Sequence, residues 1–121
     1  MQNYKTITTS LNAAGVAELV LNRAEVHNAF DDNMIGELIH ALKSLASNPA
    51  VRVLLLKSMG KNFSAGADLN WMRSMAEKNY QQNLEDAGQL AELMRQLDTF
   101  PAPTIALVQG AAFGGALGLV S

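Results

Sequence analysis

Phe63-Ser64-Ala65-Gly66-Ala67-Asp68-Leu69 is a run of small residues that leaves an apolar segment, turns at Gly66 and enters a helix-like stretch at Asp68. Small side chains at such a turn leave backbone N–H groups uncovered. Asp68 is suited to cap the helix behind it, and the partial positive charge of that helix N-terminus would aim the N–H groups around Ala67 at an anion or a polarised carbonyl. A second run, Gln109-Gly110-Ala111-Ala112-Phe113-Gly114-Gly115-Ala116, also follows a β-branched segment and opens a helix-like stretch with almost no side chains. Two such turns suggest a pair of N–H donors, the arrangement that stabilises negative charge developing on a carbonyl oxygen. The first seven residues taken alone are better read as an ordinary strand-to-helix turn closed by a capping Asp. The second run is what favours an oxyanion site.

The elements that must hold these turns can be read from periodicity. Tyr4 to Leu11 and Val16 to Leu21 are strand-like, with turn chemistry at Asn12 to Gly15, which predicts a β-hairpin. Asn22 to Phe30 is too polar and irregular for a strand and reads as a loop. His27 within it could be a catalytic imidazole, but no Ser or Cys nucleophile is marked beside it, and a loop histidine is the better reading. Asp31 or Asp32 can cap a helix whose stripe is Ile35, Leu38, Ile39, Leu42, Leu45 and Ala46, stopped by Asn48-Pro49 and leaving His40 on the solvent side. Val51 to Lys57 is a nearly continuous apolar run, the pattern of a strand covered on both faces. After Asp68 a helix carries Leu69, Trp71, Met72 and Met75, which could line an apolar pocket or pack the core. Lys78 to Gln82 reads as loop. Leu84, Ala87, Leu90, Ala91, Met94 and Leu97 define another amphipathic helix ended by Phe100-Pro101-Ala102-Pro103, and Thr104 to Val108 is a buried-strand candidate. The alternation predicts an α/β fold.

Together with Asn22-Arg23-Ala24-Glu25-Val26-His27-Asn28-Ala29, the two small-residue runs resemble the enoyl-CoA hydratase/isomerase (crotonase) family along the whole chain. The resemblance implies a crotonase-like (ClpP/crotonase) spiral of ββα repeats, with C-terminal helices that build a homotrimer or a dimer of trimers. It implies an acyl-CoA substrate held along the 22–30 loop, with coenzyme A entering as part of the substrate and no separate cofactor or metal. Ala67 and Gly115 correspond to the two oxyanion N–H donors of the family. Val26, Ala29, Ala65, Gly66, Asp68, Leu69, Gly114 and Gly118 fall at substrate-binding positions, with the backbone near Ala65 expected to accept from the adenine amine. The wording around Asn62 to Met75 and Gly110 to Ser121 is most similar to bacterial methylglutaconyl-CoA hydratase-like members. Two departures stand out. Ala24 replaces a usual Pro, and Gly118 stands where family hydratases commonly carry a Glu for proton transfer. Asp68 serves better as a cap than as a base. The missing Glu leaves isomerase and other crotonase-family chemistry open beside hydration, and a non-catalytic acyl-CoA-binding or scaffold role as well.

Composition narrows the classes. The 121 residues form at most one domain, 49% apolar and 17% charged, as in globular proteins. A net charge of −2 with scattered Lys and Arg offers no nucleic-acid face. The chain has no cysteine, and therefore no disulfide or thiolate chemistry. Gly110, Gly114 and Gly118 lie four apart, as in packed membrane helices. However, Ile105 to Val120 is shorter than the ~20 residues a span needs and is interrupted by Gln109. Close backbone approach explains the glycines better. No leader follows Met1, so a cytoplasmic setting is expected. Gly115 to Ser121 would be two turns of helix with no closing signal. Residues 1–121 are therefore expected to be the N-terminal part of a longer acyl-CoA-binding domain, cut inside the helix after Gly115.

Overall fold

The computed structural model describes residues 4–66 and 68–110. β1 (Ile7–Leu11) and β2 (Val16–Leu21) form the expected hairpin, with Ile7 opposite Leu21 and Leu11 opposite Ala17. Asn12 shapes its turn by accepting from the Ala14 and Val16 amides through Oδ1. A 3₁₀ turn at Ala24–Val26 interrupts the loop that follows. Then come α1 (Asp32–Ala46), β3 (Val53–Ser58), α2 (Leu69–Glu77), α3 (Tyr80–Asp98) and β4 (Thr104–Ala106). The sheet runs β1-β2-β3-β4, antiparallel in the hairpin and parallel from β2 to β3 and from β3 to β4.

Asp31 caps α1, its Oδ1 accepting from the Met34 amide at 2.9 Å. Ile35, Leu38, Ile39 and Leu42 face the sheet as the spacing predicts, and Met34 and Ala41 join them. They meet Ile7, Ala17, Leu19, Leu21, Leu54 and Leu56 in one apolar cluster that also takes in Phe30, Phe63 and Trp71. Glu37, in the second turn of α1, ties the helix to the residues just before β1. Its carboxylate accepts from the amides of Lys5 and Thr6 at 2.8 Å each and from the Thr6 hydroxyl. Burial alone would raise the Glu37 pKa, but those three hydrogen bonds and the Lys5 charge outweigh it and hold the carboxyl below its usual range. His40 is exposed as expected and lies 2.8 Å from the Tyr4 hydroxyl through Nδ1.

Four expectations are corrected. β3 is fully covered on one face only: Leu54 and Leu56 are buried, whereas Val53, Leu55 and Lys57 are half-buried. The reason lies in the neighbours of that face, where Lys57 Nζ reaches Glu18 of β2 at 3.1 Å and keeps a charged pair at the surface. Lys78 to Gln82 is a helix start rather than a loop. Asn79 and Gln82 exchange side-chain and backbone hydrogen bonds as a capping box, so α3 begins at Tyr80. The buried stripe of α3 also lies later than expected. Leu93 is 0% exposed, with Leu90, Met94 and Leu97 packed around it, while Leu84 is 52% exposed. β4 is short, and Thr104 and Ile105 are exposed rather than buried.

Candidate active site

The loop after β2 is organised by a residue with almost no freedom. His27 and Asn28 both have φ of +53°, a left-handed conformation that Asn tolerates better than most side chains. Asn28 is 0% exposed, and its polar atoms are all engaged. Its Oδ1 accepts from the Arg23 amide at 2.7 Å, and its Nδ2 donates to the carbonyls of Met59 (2.7 Å) and Asn62 (3.1 Å). A buried amide satisfied in this way ties the start of the loop to the segment after β3, because each of those partners would lose its own hydrogen bond if the side chain moved.

The small-residue turn is laid directly along this loop. Ala65 N–H donates to the His27 carbonyl at 2.9 Å, Phe30 N–H to the Gly66 carbonyl at 2.6 Å, and Asp68 N–H to the Phe30 carbonyl at 2.6 Å. Ser64, also 0% exposed, donates its hydroxyl to the Asn28 carbonyl at 2.8 Å and accepts from the Gly66 amide at 3.1 Å. Gly66 takes φ of +87°, which a side chain would make strained, so the turn needs glycine here. Asp68 then caps α2, its Oδ1 accepting from Trp71 N–H at 3.0 Å.

Arg23 joins the pieces. Its Nη1 donates to the Ala29 carbonyl at 2.6 Å and lies 3.3 Å from Asp31, while Nη2 lies 3.4 Å from Asp68 Oδ2. Arg23, Asp31, Asp32, Asp68, Asn70, Trp71 and Ser74 line a cleft of about 290 Å³ beside the starts of both helices. Asp68 is thus engaged through both oxygens. That is the geometry of a cap and ion-pair partner, not of a base held open for a proton.

The second small-residue run begins beside the first. Gln109 Nε2 donates to the carbonyls of Ser58 (2.8 Å) and Gly60 (3.1 Å) and lies 2.9 Å from the Ser58 hydroxyl. Gly110 has φ of +60°, and a methyl group there would stand 2.1 Å from the Lys61 carbonyl oxygen. The close backbone approach expected of these glycines is therefore present at Gly110. It brings the chain against the loop that leads into Phe63.

Of the residues singled out from sequence, Val26 is half-buried, Ala29 and Gly66 are buried, and Ala65 is exposed. Leu69 is 67% exposed and Met72 is exposed too, whereas Trp71 and Met75 of the same helix turn to the core. Helix α2 thereby separates the two roles its apolar residues could have. His27 is an exposed loop residue 3.1 Å from Asn62, as expected. Ala67, Gly114, Gly115, Gly118 and the helix expected after Gly115 lie outside the described residues. Sequence reasoning did not find the work done by the side chains of Arg23, Asn28 and Ser64. The one available signal was Asn following His in a loop, a pair suited to left-handed backbone. Among the described residues no group of His, Cys, Asp or Glu is placed to hold a metal ion, and no helix is long and apolar enough to cross a membrane.

The mixed sheet and its crossover helices have the crotonase fold. The crystal structure of an enoyl-CoA hydratase from Shewanella pealeana superimposes with a TM-score of 0.92 at 58% identity, over 95% of this chain and 43% of that one. Residues 12–121 match the enoyl-CoA hydratase/isomerase family, and the chain belongs to it. Among its relatives, the enoyl-CoA isomerase/hydratase fer4 of Mycosarcoma maydis is 34% identical over 96% of this chain. A peroxisomal Δ(3,5)-Δ(2,4)-dienoyl-CoA isomerase of Arabidopsis thaliana is 31% identical over 100% of it. The chain spans 44% and 48% of those two proteins.

Proposed function

We propose that the intact protein holds an acyl-CoA thioester along the 22–30 loop and the 65–69 turn, polarises its carbonyl with the N–H groups of Ala67 and Gly115, and hydrates a 2-enoyl-CoA. The observation that supports this reading is the docking of Gln109 and Gly110, the start of the second run, onto the loop leading into the first turn. Water adding to the β-carbon of an enoyl thioester pushes negative charge onto the carbonyl oxygen, where two fixed N–H donors stabilise it. Gly66 and Asp68 hold the backbone on either side of Ala67. Ala65 offers backbone to the adenine amine, since the neighbouring Gly66 carbonyl already accepts from Phe30. Leu69, exposed at the start of α2, and Gly114 and Gly118 complete the acyl side. Glycine at position 118 leaves room for a branched or carboxylated acyl group such as methylglutaconyl. A homotrimer, or a dimer of trimers, is the assembly that goes with this reading.

Isomerisation is the second reading, favoured by Gly118 standing where hydratases carry a Glu and by the isomerase names of two relatives. A non-catalytic acyl-CoA binder is the third. Hydration of crotonyl-CoA and methylglutaconyl-CoA, double-bond migration in a 3-enoyl-CoA, and calorimetric binding of the thioesters separate all three. Binding without turnover selects the binder. Ala67→Pro removes one donor N–H while Ala67→Gly keeps it, so the Pro variant should lose on the order of 10²–10³ in kcat and the Gly variant little. A folded, CoA-binding Ala67→Pro protein working within about tenfold of the parent would exclude Ala67 as a donor, given that loss scale.

A further inference from the structure

Asn28 and Ser64 are 0% exposed, and every hydrogen bond assigned to their side chains ends on backbone. They lie 36 residues apart in sequence. They nevertheless form one continuous path: the Asn28 side chain fixes the loop, the Asn28 carbonyl accepts from Ser64 Oγ, and Ser64 Oγ accepts from Gly66 N–H. That last amide sits one residue before Ala67 and belongs to the glycine at φ +87° that sets the direction of the turn.

We propose that Asn28 and Ser64 are positioning residues that fix the orientation of the Gly66–Asp68 backbone from within the protein, so that the donor geometry at the thioester carbonyl is set before substrate binds. This rests on the acyl-CoA reading above. The physical case is that the flanking peptides are pinned on both sides. Gly66 is held through its N–H by Ser64 and through its carbonyl by Phe30, and Asp68 N–H is held by the Phe30 carbonyl. Phe30 and Asn28 belong to the same loop. Removing the Ser64 hydroxyl frees the Ala65–Gly66 peptide and leaves the Phe30 hydrogen bond alone to orient the Gly66 carbonyl and the N–H that follows it, and an N–H donor acts on developing charge only when aimed at it.

The test compares Ser64→Ala and Ser64→Cys with the parent in the intact protein, using crotonyl-CoA hydration and thermal unfolding. Ser64→Cys nearly preserves volume but offers only a weak donor and acceptor, so it separates hydrogen bonding from packing. Both variants should lose about 10²-fold in kcat, the scale of an ångström-level misplacement. KM should stay within about threefold, because the loop that carries the CoA is kept, and uniform binding is what KM reports. A purely structural role would lower the melting temperature and leave kcat of the folded protein unchanged, and that result overturns the proposal. Raised KM at parental kcat overturns it as well. Should Ser64→Ala fail to fold, Ser64→Cys carries the same expectation. Asn28→Gly, which retains left-handed freedom, carries it from the loop side. A parent that turns over no enoyl-CoA removes the functional reading and this proposal together, whereas an active parent with unaffected Ser64 variants removes this proposal alone.

Discussion

Asp68 is the carboxylate nearest the proposed donor turn, and replacing it decides between structural and proton-transfer roles. Its Oδ1 accepts from Trp71 N–H at 3.0 Å and its Oδ2 lies 3.4 Å from Arg23, with the side chain 12% exposed. Asp68→Ala removes both contacts. Loss of an N-cap costs about 1 kcal/mol. The Arg23 pair adds about 0.5–1 kcal/mol at most, because Arg23 keeps Asp31 at 3.3 Å and the Ala29 carbonyl at 2.6 Å and is not stranded. The Ala variant should therefore lose about 1.5–2 kcal/mol. Asn is as good a cap as Asp, so Asp68→Asn should lose only the ion-pair share, about 0.5–1 kcal/mol. Urea midpoints at constant m-value measure both. Removing a general base typically costs 10²–10⁴ in rate, whereas a cap whose shape is retained should leave kcat of Asp68→Asn within about tenfold by the same comparison. A folded Asn variant that lost 10³ or more, beyond what repositioning explains, would make Asp68 the base and the cap argument wrong. Equal destabilisation by Asn and Ala would show that the cap contributes nothing.

Two further predictions concern the scaffold. Glu37 has its pKa held below the unfolded value, so its contribution is complete above the unfolded carboxylate range near ~4.3 and is lost as pH falls through the lower folded value. Glu37→Gln should therefore flatten the decline of the urea midpoint on acidification below about pH 5, and an acid limb as steep as the parent's would refute the clamp on β1. Leu93→Ala should cost about 2–5 kcal/mol and Leu84→Ala no more than about 0.5 kcal/mol, both read from denaturant unfolding. The reverse order would contradict the observed face of α3.

The hairpin, α1 and its Asp31 cap, and the Asp68 cap of α2 were legible because each depends on residues within four positions of one another. The capping box of α3 was equally local in Asn79 and Gln82, but the polar run Lys78 to Gln82 masked it. The stripe of α3 was harder. Its helix is apolar at many positions, and only packing against α1 selects Leu93 over Leu84. The outward face of β3 misled because Val53 and Leu55 look buried in isolation. Their face also carries Lys57 paired to Glu18, which lies on another strand. At the site, the turn and its glycine were readable, since Gly66 and Asp68 act on their immediate neighbours. The roles of Arg23, Asn28 and Ser64 were not, because each side chain finds partners 31 to 45 residues away and no periodicity encodes such pairs.

The order β1-β2-β3-β4 has a consequence for how the chain folds during synthesis. Each strand lies beside the one made before it, so no strand has to be inserted between two that are already paired. A nascent chain can close the β1–β2 hairpin over its four-residue turn first, and that local pairing is the fastest of the set. β3 then adds to an edge that already exists, after α1 has supplied an apolar face, and β4 adds last. The growing margin of the sheet is always a single exposed edge, the form most open to pairing with a neighbouring chain. The long α2–α3 excursion delays the covering of the β3 edge until Leu54 N–H reaches the Pro103 carbonyl at 2.9 Å, which leaves β3 open to mispairing for that part of synthesis.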